Sequence, residues 1–213
     1  MNDFAAFAEA MEAGGRQTPP APPSYDRVAV LGGGPDARLF AAICLSEGAE
    51  VSLFSAYGAE LQAIRSGGVA LRGAGPVGAY QADREDAPSI RTTAELDAAV
   101  SGAELIFLTG PIHKQRTYAM VLADHLSDGQ VVVLPSARSL GAVEAAWLLR
   151  TGGVSAAVTL VDLQGVPFWW NEAGATLNLT EAAAPLAAAL PSGNAVALEG
   201  LKRFFPELRT APS

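Results

Sequence analysis

Arg27-Val-Ala-Val-Leu31 runs directly into Gly32-Gly-Gly-Pro-Asp-Ala37. Arg38 to Glu47 follows, then Gly48, then Glu50-Val-Ser-Leu-Phe-Ser55. The first and last pieces are short, apolar and rich in β-branched or aromatic residues, the pattern of buried strands. Between them the spacing predicts a helix from roughly Ala37 to Glu47, stopped by Gly48. Gly32, Gly34 and Ala37 stand at the G-x-G-x-x-G/A positions. Each small residue has a steric task. Gly32 allows the tight turn off the strand, Gly34 lets a ligand approach the backbone, and Ala37 lets the helix pack close to the sheet.

A strand, glycine turn, helix and second strand within about thirty residues form the dinucleotide-binding βαβ unit. On this reading Gly32, Gly33, Gly34, Pro35, Asp36 and Ala37 face a pyrophosphate. The helix N-terminus offers it free N–H groups and a partial positive charge. The competing reading is a glycine-rich turn in an α/β fold that binds no nucleotide.

Half of the 213 residues are hydrophobic and only 17% are charged, ample for a buried core. The net charge of −8 argues against a nucleic-acid or anionic-membrane surface, which needs clustered Lys and Arg. The single Cys44 excludes an intrachain disulfide and a cysteine-rich zinc site, and no metal site is expected. It reads as a small core residue. There is no run of eighteen apolar residues and no basic-then-apolar leader, so a cytoplasmic protein is expected.

Two segments are expected, residues 1–24 and 25–213. In the first, Phe4, Phe7, Ala8 and Met11 make a helical stripe, and Pro19, Pro20, Pro22 and Pro23 make a stiff spacer. It reads either as a disordered tail or as a docking helix on a tether. From Tyr25 strands and helices alternate. Further helices are predicted near 58–66, 94–100, 113–126, 140–150 and 194–205. Strands are predicted near 89–92, 104–109, 130–134 and 154–163, 69–82 reads as a hairpin or an irregular excursion, and 168–180 as a second hairpin. This rhythm predicts a Rossmann-type, doubly wound, mainly parallel sheet covered on both faces.

Ligands bind such sheets outside the carboxyl ends of the strands. The second strand ends at Ser55, placed near the adenosine ribose. Neither Ser55 nor Ala56-Tyr57-Gly58 offers the carboxylate usual in NAD sites, which favours NADP over NAD or else a weakened site. The strand at 104–109 ends in Thr109-Gly110-Pro111-Ile112-His113-Lys114. Gly110 and Pro111 suit the nicotinamide end, His113 a general acid and Lys114 a carboxylate holder. Alternatively His113 starts a helix and Lys114 is solvated. Arg138 either pairs with a substrate carboxylate or is exposed. Asp162 and Gln164 are polar at a strand end. Phe168, Trp169 and Trp170 either line a pocket or, preferably, form an apolar contact patch.

From about Arg27 to Leu208 the chain resembles the N-terminal NAD(P)-binding domain of the opine dehydrogenase family, of the octopine and nopaline dehydrogenase types. It resembles ketopantoate reductases more distantly. The matching stretches are 28–34, 64–68 with the hairpin behind it, 106–111, 128–135, 141–144, 158–167 and Phe205-Pro206. The resemblance implies a Rossmann domain that holds NAD(P)H for reduction of an imine or ketone derived from a 2-oxo acid. It also implies a helical C-terminal domain, which is expected to be absent after Ser213. Ala37, Ser55, Asp162 and Trp169-Trp170-Asn171 depart from the family pattern. The expected partners are therefore a dinucleotide together with a helical partner subunit or a homodimer mate. The alternative is a non-catalytic dinucleotide-binding, sensor or scaffold module.

Overall fold

Leu105–Leu108 is buried on both faces, and so is most of Arg27–Leu31, because helices cover the sheet on either side. The computed structural model describes residues 21–135, 141–191 and 194–211. The order along the chain begins β1 (Arg27–Leu31), α1 (Pro35–Ser46), β2 (Glu50–Phe54), α2 (Gly58–Gly67), β3 (Val69–Gly73), β4 (Gly78–Tyr80) and β5 (Ile90–Thr93). It continues with α3 (Leu96–Val100), β6 (Leu105–Leu108), α4 (Ile112–Leu122), β7 (Val131–Pro135), α5 (Gly141–Thr151) and β8 (Thr159–Gln164). It closes with β9 (Phe168–Ala173), β10 (Thr176–Glu181), β11 (Leu186–Leu190), α6 (Ala195–Leu201) and β12 (Arg209–Thr210).

The main sheet has the order β12-β11-β8-β7-β6-β1-β2-β5. From β5 to β8 every pairing is parallel, with Val28 opposite Val51 on one side and Leu105 on the other. The chain winds outward from β1 through β2 to β5, then returns to β6 and winds the other way. The topological switch point therefore lies between β1 and β6, where the carboxyl ends part to leave a crevice.

One core lies on the α1 and α6 face. Phe40 stacks on Phe107 at 4.9 Å, and Phe205 meets both rings edge-on. The other core packs α3, α4 and α5 against the opposite face. The predicted hairpins are present, and they join. Strand β3 pairs in parallel with β10, Ala70 opposite Thr176, into a small sheet ordered β4-β3-β10-β9. Its Val69, Leu71, Leu177 and Leu179 belong to the same core as α1, so α1 is covered on a second side. That is why residues 37–44 are all buried, Cys44 among them.

Several expectations are revised. β8 begins at Thr159 rather than near Val154, because Ala157 is tied to the preceding turn through Asp128 and Gly129. Helix α4 ends at Leu122, and α6 spans Ala195–Leu201 with Asn194 as its cap. Strand β11, antiparallel to β8, was not anticipated in an alanine-rich run of low strand propensity. Residues 1–20, including the expected helix stripe, lie outside the described residues. The end of the proline segment is docked: Tyr25 is buried and donates to the Ala197 carbonyl at 3.0 Å. Among the described residues no helix is long and apolar enough to cross a membrane.

That docking reverses the usual sign of a helix glycine substitution. A Cβ on Gly200 would come within 2.6 Å of the Pro23 carbonyl and the Tyr25 ring. Gly200→Ala should therefore lose about 1–3 kcal/mol by overpacking, against the gain of about 1 kcal/mol that helix propensity alone gives. Urea unfolding of the two proteins checks the sign.

Candidate functional site

The glycine turn sits at the mouth of the crevice between β1 and β6. The Gly32 N–H donates to the Phe54 carbonyl at 2.8 Å, and its φ of +134° is one that side chains rarely adopt. A Cβ there would overlap Thr109 Oγ1, which itself donates to the Leu31 carbonyl at 2.8 Å. Ala37 is fully buried and lies 3.6 Å from the same point, so Gly32, Ala37 and Thr109 close the base of the turn. Gly34 is the N-cap of α1, in extended conformation, and a Cβ on it would meet only Asp36 Oδ1, at 3.1 Å. The Gly33 and Gly34 N–H groups have no hydrogen-bond partner among the described residues.

Two carboxylates occupy the turn. Asp36 accepts from the Ala37 N–H at 3.0 Å and from the Gly110 N–H. Glu60, in the first turn of α2, lies so close over Gly33 that a Cβ there would collide with it. It accepts from the Ser55 hydroxyl at 2.5 Å, and Ser55 is fully buried. Its second oxygen lies 3.5 Å from Lys114 Nζ, which stands 4.6 Å from the Tyr57 ring centre. A carboxylate therefore does stand at the end of β2. It comes from α2 rather than from Ser55 to Gly58, and that removes the ground for favouring NADP. The signal lay in an acidic residue in the first turn of a helix that starts at the strand end. Arg65, on α2, donates to Thr92 at 2.7 Å and to Asp83 at 3.1 Å, and Arg72 lies on β3 of the small sheet.

On the β6 side, Gly110 has φ +87° and Pro111 is the N-cap of α4. Gln115, passed over in the sequence, donates to the Gly110 carbonyl at 2.9 Å and the Pro135 carbonyl at 3.2 Å. It thereby ties the ends of β6 and β7 together. Lys114 faces the crevice, whereas His113 is exposed and its ring bonds no described residue. The Tyr118 hydroxyl is pushed up to about 12, first by burial and then by the Glu60, Tyr57 and Asp36 charges.

The remaining candidates scatter. Arg138 lies outside the described residues. Burial pushes the Asp162 carboxyl up, although it accepts from the Ala142 N–H at the start of α5 at 2.7 Å. Phe168 and Trp170 pack against the core, and only Trp169 points outward, 68% exposed. The expected aromatic patch is thus a single side chain. Arg38 was also passed over. It is buried on α1, donating to the Gly174 carbonyl and to Glu172, beside a cleft of about 560 Å³ that reaches Gly33 and Gly34.

A parallel sheet with this order and a glycine turn at its switch point is a Rossmann-type fold. Octopine dehydrogenase, solved with NADH and agmatine, superposes with a TM-score of 0.66 at 20% identity, covering 87% of this chain and 48% of that one. A ketopantoate reductase from Ralstonia eutropha gives 0.58 at 17%, covering 88% and 57%. D-mandelate dehydrogenase, solved with NADH and anilino(oxo)acetate, gives 0.60 at 14%, covering 87% and 56%. The likeness is one of fold, the first two being of the groups that the sequence motifs resemble, and the chain spans about half the length of these structures. No family model and no curated protein matches the sequence.

Proposed function

We propose that the crevice between β1 and β6 holds a nicotinamide dinucleotide and that the chain is the cofactor-binding part of a cytoplasmic oxidoreductase of the opine dehydrogenase type. The observation that carries this is the glycine turn at the switch point, with Gly34 open and two backbone donors free beside it. The residues fit the group in backbone shape. Gly32 to Ala37 would cradle the pyrophosphate, Ser55 and Glu60 would face the adenosine ribose, and Gly110 and Pro111 would face the nicotinamide ribose. When bound, the reduced nicotinamide supplies a hydride for a 2-oxo-acid-derived imine or ketone. Lys114, paired with Glu60 in the structure, would have to leave that carboxylate to hold a substrate carboxylate at the nicotinamide end, and His113 is the candidate proton donor. Hydride transfer needs the substrate held in a water-poor cleft. The carboxyl ends of the central strands provide one wall, and we assign the other to a helical partner chain or a second copy.

Glu60 supports NAD rather than NADP, since a carboxylate accepts from ribose hydroxyls and repels a 2′-phosphate. Wild-type protein should bind NADH about tenfold more tightly than NADPH, and Glu60→Gln should close most of that gap by improving NADPH. Fluorescence titration of both nucleotides checks this. Equal affinities in the wild type would remove Glu60 from the ribose site.

A second reading, a dinucleotide-binding or scaffold module without catalysis, draws support from the carboxylates of Asp36 and Glu60 at the turn. The two readings part on turnover. Saturable NADH binding, with 2-oxo acids reduced once the partner is added, supports the enzyme. Binding without turnover in any assembly supports the module.

A further inference from the structure

Asp36 stands where the turn should receive an anion, and it is itself an anion. It is the second residue of α1, one oxygen accepting from the Ala37 N–H and the other from the Gly110 N–H, across the crevice. Pro35, the residue before it, has no N–H to offer. The turn after β1 and the turn after β6 are thereby strapped together by one carboxylate. That carboxylate lies beside Gly34, 3.1 Å from where a Cβ would be, on the surface a pyrophosphate would approach. Glu60 sits over Gly33 on the other side. The backbone has the shape of an anion cradle, and the side chains fill it with negative charge.

We infer that Asp36 is a tethered competitor for the pyrophosphate: its carboxylate holds two of the site's backbone donors, the Ala37 and Gly110 N–H groups, and must leave Gly110 before a dinucleotide can seat. This rests on the dinucleotide reading and says what sets the affinity of that same site. The competition has two parts. The ligand must replace hydrogen bonds that a helix N-terminus makes favourably to a carboxylate. It must then bear the repulsion of that carboxylate, which the backbone keeps within a few ångströms. An unlinked anion would simply diffuse away, whereas a tethered one remains at high effective concentration.

The test uses the full chain as wild type, Asp36→Asn and Asp36→Gly, titrated with NADH, with ADP as a pyrophosphate without nicotinamide, and with adenosine as a control lacking phosphate. Asp36→Asn keeps the side-chain shape and an acceptor but removes the charge. Asp36→Gly removes the strap. Affinity for NADH and ADP should rise about tenfold or more in both variants, while adenosine affinity stays put. Raising the salt concentration should narrow the difference. A merely structural Asp36 gives the opposite pattern, with lower melting temperature and affinity unchanged or weaker, and that result overturns the inference while leaving the dinucleotide reading in place. Variants that bind where the wild type does not would support it most strongly. If none of the three binds NADH at millimolar concentration while all remain folded by circular dichroism, the dinucleotide reading itself falls, and the competitor with it.

Discussion

Gly34→Asp removes dinucleotide binding, with NADH affinity falling by roughly a hundredfold or more, and leaves the fold intact. Gly34 has φ −74° and ψ −178°, which any residue adopts, and a Cβ there meets nothing but the Asp36 carboxylate. The position is also the N-cap of α1, which lacks a side-chain cap. Aspartate is among the best N-cap residues and gains about a few tenths of a kcal/mol over glycine there. Repulsion from Asp36 offsets part of that gain. The melting temperature should therefore stay within a few degrees of wild type while a second fixed charge meets the pyrophosphate. Calorimetry with NADH and a thermal melt on the same sample give both numbers. Loss of binding together with loss of the fold would show that the position supports the helix and says nothing of the ligand. Unchanged affinity would take the pyrophosphate away from this turn.

Gly32→Ala acts through the fold. The glycine φ of +134° is strained for alanine, at about 1–3 kcal/mol. Its new methyl would also overlap the Thr109 hydroxyl, at about 1–3 kcal/mol more. A loss of about 2–6 kcal/mol is expected from their sum, a large share of the stability of an ordinary domain. Thr109 cannot swing away freely, because its hydroxyl donates to Leu31 from a fully buried position. Adding Thr109→Ala should restore part of the loss, so the double-mutant cycle should give a favourable coupling of about 1 kcal/mol or more. Strict additivity would mean that backbone strain alone is responsible.

The parts of the fold that were legible in the sequence are those that local rules determine. The β1–α1–β2 unit follows from the Val28–Leu31 run, the glycine turn and the stop at Gly48. Strands β6 and β7 follow from apolar runs that only a sheet covered on both faces can bury. Other features depend on partners distant in sequence. Strand β11 has alanines where strands favour branched residues, and it exists because β8 offers an unpaired edge with Ala188 opposite Asp162. The two hairpins were each visible, but their union through Ala70 and Thr176 joins residues about a hundred positions apart.

The candidate site divides in the same way. Gly32, Gly34 and Ala37 were legible because their task is steric and local. Glu60 was not legible as a ribose carboxylate because it lies beyond the strand end, and one turn of α2 carries its side chain back over Gly33. Asp36 was assigned to the pyrophosphate by position alone. Its carboxylate acquires a competing role only because Gly110, 74 residues away, lies across the crevice. Arg38 and Gln115 are polar residues on helices whose partners come from other elements, Gly174 and Glu172 for one, Gly110 and Pro135 for the other. No local pattern announces such pairs.

The most direct measurement is a calorimetric titration of NADH into the full chain and into Asp36→Gly side by side. The account predicts a saturable one-to-one isotherm, tighter in the variant, with melting temperature rising as nucleotide is added. Two folded proteins that give neither heat nor a shift in melting temperature at millimolar NADH would contradict it.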